Sequence, residues 1–115
     1  MPNHGAGVVD VDGVFRALSD PTRRQVVERL ARGPATTSEL ARPFAMALPS
    51  FTQHLGVLER LGMVTSEKAG RVRTYRLAPD PLEEVGSWLD AQRALWSRRL
   101  DQLDELLHEL KEQQK

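Results

Sequence analysis

Ser50, Thr52, Gln53 and His54 gather hydroxyl, amide and imidazole groups within five residues. Side chains of this kind donate and accept hydrogen bonds without making or breaking covalent ones, and a glutamine can grip an adenine edge with two bonds at once. Further along, Arg71 and Arg73 add fixed positive charges of the type that meets phosphate. Catalysis finds no comparable set. There is no cysteine nucleophile, no glycine-rich phosphate loop, and no histidine grouped with carboxylates that could pass a proton. The chain is therefore not expected to be an enzyme. The nearest thing to a metal set is Asp104, His108 and Glu112, spaced four apart on one helical face. One imidazole and two carboxylates on a single helix make a weak zinc signal, and an acidic solvated surface explains them better. No metal and no cofactor are expected.

The chain as a whole is neutral, with 16 Lys and Arg against 16 Asp and Glu in 115 residues. The charge is unevenly placed. Residues 42–76 carry Arg42, Arg60, Lys68, Arg71, Arg73 and Arg76 against Glu59 and Glu67 alone, whereas residues 77–115 are net acidic. A neutral protein with one basic block can still hold a polyanion through that block. The length suits a single domain. The lack of cysteine excludes a disulfide scaffold and thiolate zinc sites. No apolar run nears the roughly 18 residues of a membrane span, and residues 1–7 lack the basic and apolar regions of a secretory leader. A cytoplasmic protein with no membrane partner is expected.

The elements that must position these side chains are mostly helical. Residues 1–10 are expected to be a disordered tail and residues 11–115 the folded domain. A first helix is predicted from Val11 to Leu18, with Val11, Val14, Phe15 and Leu18 on one face. Ser19-Asp20-Pro21 starts a second, because Ser19 or Asp20 can cap and proline suits the first turn. Its inner face is Val26, Val27, Leu30 and Ala31, and Gly33-Pro34 stops it. Arg23 and Arg24 lie outside, suited either to a phosphate backbone or to surface ion pairs. Thr36 and Glu39 have capping-box spacing at the head of a short third helix that Pro43 limits. A fourth helix runs from about Leu48 to Leu61, with Phe51, Leu55, Leu58 and Leu61 inside and Gly62 ending it. Two short strands then flank a turn at Gly70, forming a hairpin with a basic tip. From about residue 81 to 113 a single long helix carries Leu82, Val85, Leu89, Trp96, Leu103 and Leu107 at three-four spacing. Such a helix overhangs a small domain, and a second copy of the chain is the economical partner for its leucines.

Two short helices joined by a tight turn, followed by a basic hairpin, make a mainly α fold with a small β-hairpin: a winged helix-turn-helix. A major groove about 12 Å wide admits one helix, end first. Ser50, Thr52, Gln53 and His54 would face it, although the phase of His54 equally allows a structural hydrogen bond. Arg71 and Arg73 would reach phosphates or the minor groove.

The run from Phe15 to Leu30, the pair of segments Ser38–Ala41 and Leu48–Val64, and the hairpin Gly70–Leu77 together resemble the ArsR-type (ArsR/SmtB) winged helix-turn-helix repressors. The segment from Trp96 to Leu106 resembles a non-metal-sensing branch of that family. The resemblance spans about residues 11–110. It implies a homodimeric transcriptional repressor or autorepressor on an imperfect palindrome in double-stranded promoter DNA. The family's recognition positions fall on Leu48, Pro49, Ser50, Thr52, Gln53 and His54, and its wing arginines on Arg71 and Arg73. Its dimer interface, made by the first and last helices, would take Val14 with Leu82, Val85, Leu89, Trp96, Leu103 and Leu107. Three positions depart from the pattern: Ala47 where a hydroxyl cap is frequent, Gly56 where a basic residue is common, and a large Phe51. The alternative is a protein-interaction module of the same fold that pairs through its long helix and leaves DNA alone. Neither reading specifies an effector.

Overall fold

The first three helices of this chain each begin where a side chain answers the backbone N–H groups left over at the helix start. The computed structural model describes residues 8–114; residues 1–7 and 115, and with them most of the expected tail, lie outside the described residues. Helix α1 (Val11–Leu18) is capped by Asp10, whose carboxylate accepts the Gly13 N–H at 2.9 Å. Asp10 thus belongs to the folded domain and not to a tail. Helix α2 (Pro21–Leu30) is capped by Asp20, which accepts the Arg23 N–H at 2.9 Å. After strand β1 (Ala35–Thr36), helix α3 (Thr37–Ala41) opens on a complete capping box. The Glu39 N–H donates to Thr36 Oγ1 at 3.2 Å, and the Thr36 N–H donates to Glu39 Oε1 at 2.8 Å. Helix α4 (Leu48–Arg60) has no side-chain cap at Ala47. At its other end Gly62 takes φ 74°, the Met63 N–H reaches Leu58 O at 2.9 Å, and the Gly62 N–H reaches Glu59 O at 3.0 Å. Those two bonds and the left-handed glycine form a Schellman stop.

Strands β2 (Val64–Ala69) and β3 (Val72–Leu77) pair antiparallel with Ala69 opposite Val72. Gly70-Arg71 is thus a two-residue turn, and Gly70 supplies its positive φ of 65°. The sequence pattern predicts only this hairpin, but the sheet has three strands in the order β1-β3-β2, with Ala35 opposite Tyr75 and Thr36 opposite Thr74. Two residues are too few to show an alternation. It is the otherwise unpaired edge of β3 that makes them a strand.

The core collects Val14, Val26, Leu40, Phe51, Leu55, Leu58, Met63 and Val64, all essentially removed from solvent. The face of α1 differs from expectation. Gly13, Val14 and Ala17 are its buried line, and Phe15 is 39% exposed. Close approach of backbone decides this, because a Cβ on Gly13 would lie 2.7 Å from Leu61 Cδ2. One consequence is a correction: Val14 is 0% exposed within its own subunit and has no surface left to offer a partner.

Helix α5 (Pro79–Gln113) starts two residues before the expected Pro81, and Pro79 suits a first helical position equally well. The chain forms two compact units, the first ending at Glu84 and the second starting at Val85. Within the described residues the second unit is the part of α5 from Val85 onward. Nine of its large apolar side chains, from Trp88 to Leu110, are between 41% and 62% exposed.

Candidate nucleic-acid interface

Helix α4 is divided cleanly by burial. Phe51, Leu55 and Leu58 are each 0% exposed and anchor it, which turns Leu48, Pro49, Ser50, Thr52 and Gln53 to solvent. The Thr52 hydroxyl donates to Pro49 O at 3.0 Å, so toward an outside group it presents oxygen lone pairs and a methyl. Neither Ser50 nor Gln53 makes a side-chain hydrogen bond with another described residue, so both keep their full donor and acceptor sets. The uncapped first turn leaves N–H groups and the positive end of the helix dipole at the same corner, a favourable place for phosphate.

His54 differs from these side chains in its setting. Its side chain is only 24% exposed, and Nδ1 lies 3.1 Å from Arg23 Nη1 and 3.7 Å from Asp20 Oδ2. It fastens α4 to the start of α2, the structural alternative that its helical phase left open. Arg23 also donates through Nε to Ala17 O at 2.9 Å, and Arg24 through Nη1 to Leu18 O at 2.8 Å. These two arginines satisfy the last carbonyls of α1 and set the α1–α2 corner. The Asp20 carboxyl is held below the usual carboxylate range, chiefly by the Arg23 N–H, with the charges of His54 and Arg23 helping against partial burial.

The wing presents Lys68, Arg71, Arg73 and Arg76 to solvent beside Glu67. Arg71 sits at the turn itself with no partner among the described residues. Arg73 is tied: its Nη1 donates to Ser66 Oγ at 2.8 Å, and that hydroxyl donates to Glu59 Oε2 at 2.9 Å. This chain joins β3, β2 and the last turn of α4, so it fixes the wing against the helix that carries Gln53. Glu59 and Ser66 were not legible as site residues, because their meeting depends on strand register and on where α4 ends. Tyr75 lies under the wing. Burial pushes its phenol above the usual range, and the nearby Glu59 charge adds to that. Arg76 Nε lies 3.8 Å from Glu67 Oε1, both exposed, a pair of little energetic weight.

On α5, the expected contact residues Leu89, Trp96, Leu103 and Leu107 are 44–62% exposed. Leu82 is half-buried, and Val85, like Val14, is buried within the subunit and is not available as expected. His108 Nε2 lies 3.3 Å from Glu112 Oε1, and among the described residues no group of three His, Cys, Asp or Glu is placed to hold a metal ion. No described helix is long and apolar enough to cross a membrane.

Residues 18–67 match the family model of a helix-turn-helix domain. The chain is 42% identical over 89 residues to the HTH-type transcriptional regulator Rv2034 of Mycobacterium tuberculosis, a match that covers 77% of this chain and 80% of that one. It is 30% identical over 79 residues to the transcriptional repressor SdpR of Bacillus subtilis, covering 69% and 88%. The crystal structure of an ArsR family transcriptional regulator, RHA00566, is similar at 53% identity with a TM-score of 0.72, covering 76% of this chain and 96% of that chain. An ArsR-like transcriptional regulator from Rhodococcus sp. RHA1 is similar at 32% identity with a TM-score of 0.67, covering 84% and 91%.

Proposed function

The chain belongs to the ArsR family of winged helix-turn-helix transcriptional regulators, and we propose from that premise that it represses transcription by occupying promoter DNA as a homodimer. The observation that carries this reading is the split face of α4. Its inner side is locked into the core, its outer side offers Ser50, Thr52 and Gln53, and a basic wing stands beside it. Each subunit puts the first turns of α4 into a major groove, with Leu48 and Pro49 at its entry and Gln53 at a base edge. Arg71 and Arg73 engage phosphate or the neighbouring minor groove. Two such readers related by a two-fold axis recognise an imperfect palindrome with half-sites roughly 34–36 Å apart.

The second copy pairs through α5. Positions 82, 85, 89, 92, 96, 99, 103, 106 and 110 follow alternating steps of three and four, the seam of a coiled coil, and most of the apolar ones from Leu89 on are half exposed. In this reading residues 11–115 are the winged helix-turn-helix domain, with α5 as its dimerisation segment. It acts in the cytoplasm, where promoter DNA is, needs no metal, and assigns the chain no catalytic step. Selection of bound duplexes from random DNA tests the proposal. A palindromic motif with half-sites one helical turn apart is expected, and a pool that stays unenriched at low salt would refute it.

A further inference from the structure

We propose that the cleft between α2 and the α3–α4 turn binds a small amphipathic anion, an aromatic carboxylate in chemical class. The cleft has a volume of about 430 Å³ and lies wholly within the first unit. That volume is in the usual range for small-molecule sites, roughly 300–1,000 Å³. Its apolar lining comes from Pro43 and Phe44, with the largely buried Val26 and Leu40 beneath. Its rim carries Arg29, Arg32 and Arg42. Among the described residues no carboxylate comes within ion-pair distance of any of these guanidiniums. Arg29 Nη1 donates to Gly33 O at 3.0 Å, which holds the head group at the rim while its other N–H groups stay available. Glu28 and Glu39 also border the cleft. Glu39 has one oxygen engaged: Oε1 accepts the Thr36 N–H at 2.8 Å, and that bond, with smaller help from the Arg29 and Arg42 charges, holds its carboxyl below the usual range. The cleft therefore combines apolar lining with planar cations that no carboxylate meets at ion-pair distance among the described residues, the arrangement that suits a ring bearing a carboxylate.

The position of the site gives occupancy a consequence. The Phe44 ring lies 5.4 Å from that of Phe51, tilted by 31°, and Phe51 is the fully buried anchor of α4. Arg42 and Phe44 belong to the segment between α3 and α4, so a ligand gripping both holds the turn that sets the tilt of α4. A ligand with different affinity for two tilts shifts DNA affinity, and DNA shifts ligand affinity by the same factor. This coupling rests on the DNA reading above; the binding itself does not.

The test is a DNA-free ¹⁵N–¹H NMR titration of the full chain with 2-naphthoate, with 2-naphthalenemethanol as the uncharged counterpart. Saturable shifts are expected at residues 25–44 and at Phe51, and much weaker ones with the alcohol. Arg42→Ala and Arg32→Ala should each raise the Kd about tenfold, since each deletes a charge-assisted contact, while spectra elsewhere stay folded. In a separate arm, naphthoate should change the affinity of the wild type for its selected duplex, and Arg42→Ala should need about tenfold more naphthoate for the same change. The proposal is overturned if shifts do not saturate, fall elsewhere, keep the wild-type Kd in Arg42→Ala, or are matched by the alcohol. It is also overturned if naphthoate does not bind and the arginine variants lose DNA affinity together with salt dependence, which makes the rim a phosphate contact. Failure of the DNA reading would appear separately, as no retention of the wild type on any duplex.

Discussion

Replacing Arg71 with alanine should change how DNA affinity responds to salt, by an amount the structure lets one work out. Arg71 is exposed at the Gly70-Arg71 turn and has no partner among the described residues. Arg73, two residues on, already donates to Ser66 Oγ at 2.8 Å. Arg71 thus has its whole guanidinium free for a phosphate, whereas Arg73 has one Nη1 donor committed to Ser66 and its head group held at that position. In a dimer each copy contributes one Arg71, so the variant removes two phosphate contacts per complex. At about 0.9 per phosphate, the slope of log K against log salt becomes shallower by about 1.8. Between 50 and 200 mM salt the variant then loses affinity about twelvefold less steeply than the wild type. Fluorescence anisotropy of a labelled duplex across that range measures this directly, and the change should be the same on a scrambled duplex. Arg73→Ala should shift the slope less. An unchanged slope for Arg71→Ala, or a loss confined to the selected sequence, would refute the placement of the wing on the phosphate backbone.

Two further outcomes follow from the same geometry. Gln53→Ala should lose about 1–3 kcal/mol of discrimination at one base position per half-site while keeping the wild-type salt slope; competition with single-base-substituted duplexes reads this, and a uniform loss at all positions would contradict it. Asp20→Ala removes the α2 cap and should cost about 1 kcal/mol at pH 7 by urea denaturation. Because the folded-state pKa of Asp20 is depressed, its contribution is complete above the unfolded value of about 3.9 and is lost as pH falls through the folded value. The gap between variant and wild type should therefore close on the acid side, and a gap that persists undiminished in strong acid would show that the carboxylate charge is not what stabilises the cap.

The features readable from the chain alone are those whose free energy is local. Asp20-Pro21, the Thr36–Glu39 box and Gly62 act within four or five residues of themselves, so they mark helix ends before any fold exists, and the bounds of α1 and α2 follow directly. The two faces of α4 are likewise set by the 3.6-residue repeat of Phe51, Leu55 and Leu58. What depended on tertiary structure is every contact between residues far apart in sequence. β1 exists because β3 has a free edge for it. Gly13, not Phe15, faces the core because the end of α4 comes within touching distance of α1. Which of the two roles left open for His54 the fold occupies was decided by Arg23 and Asp20, which stand opposite it. Glu59, Ser66 and Arg73 became one hydrogen-bonded chain only through the register of two strands. Periodicity tells which way a side chain points along its own element, but the group waiting there belongs to another element, and only packing decides which one arrives.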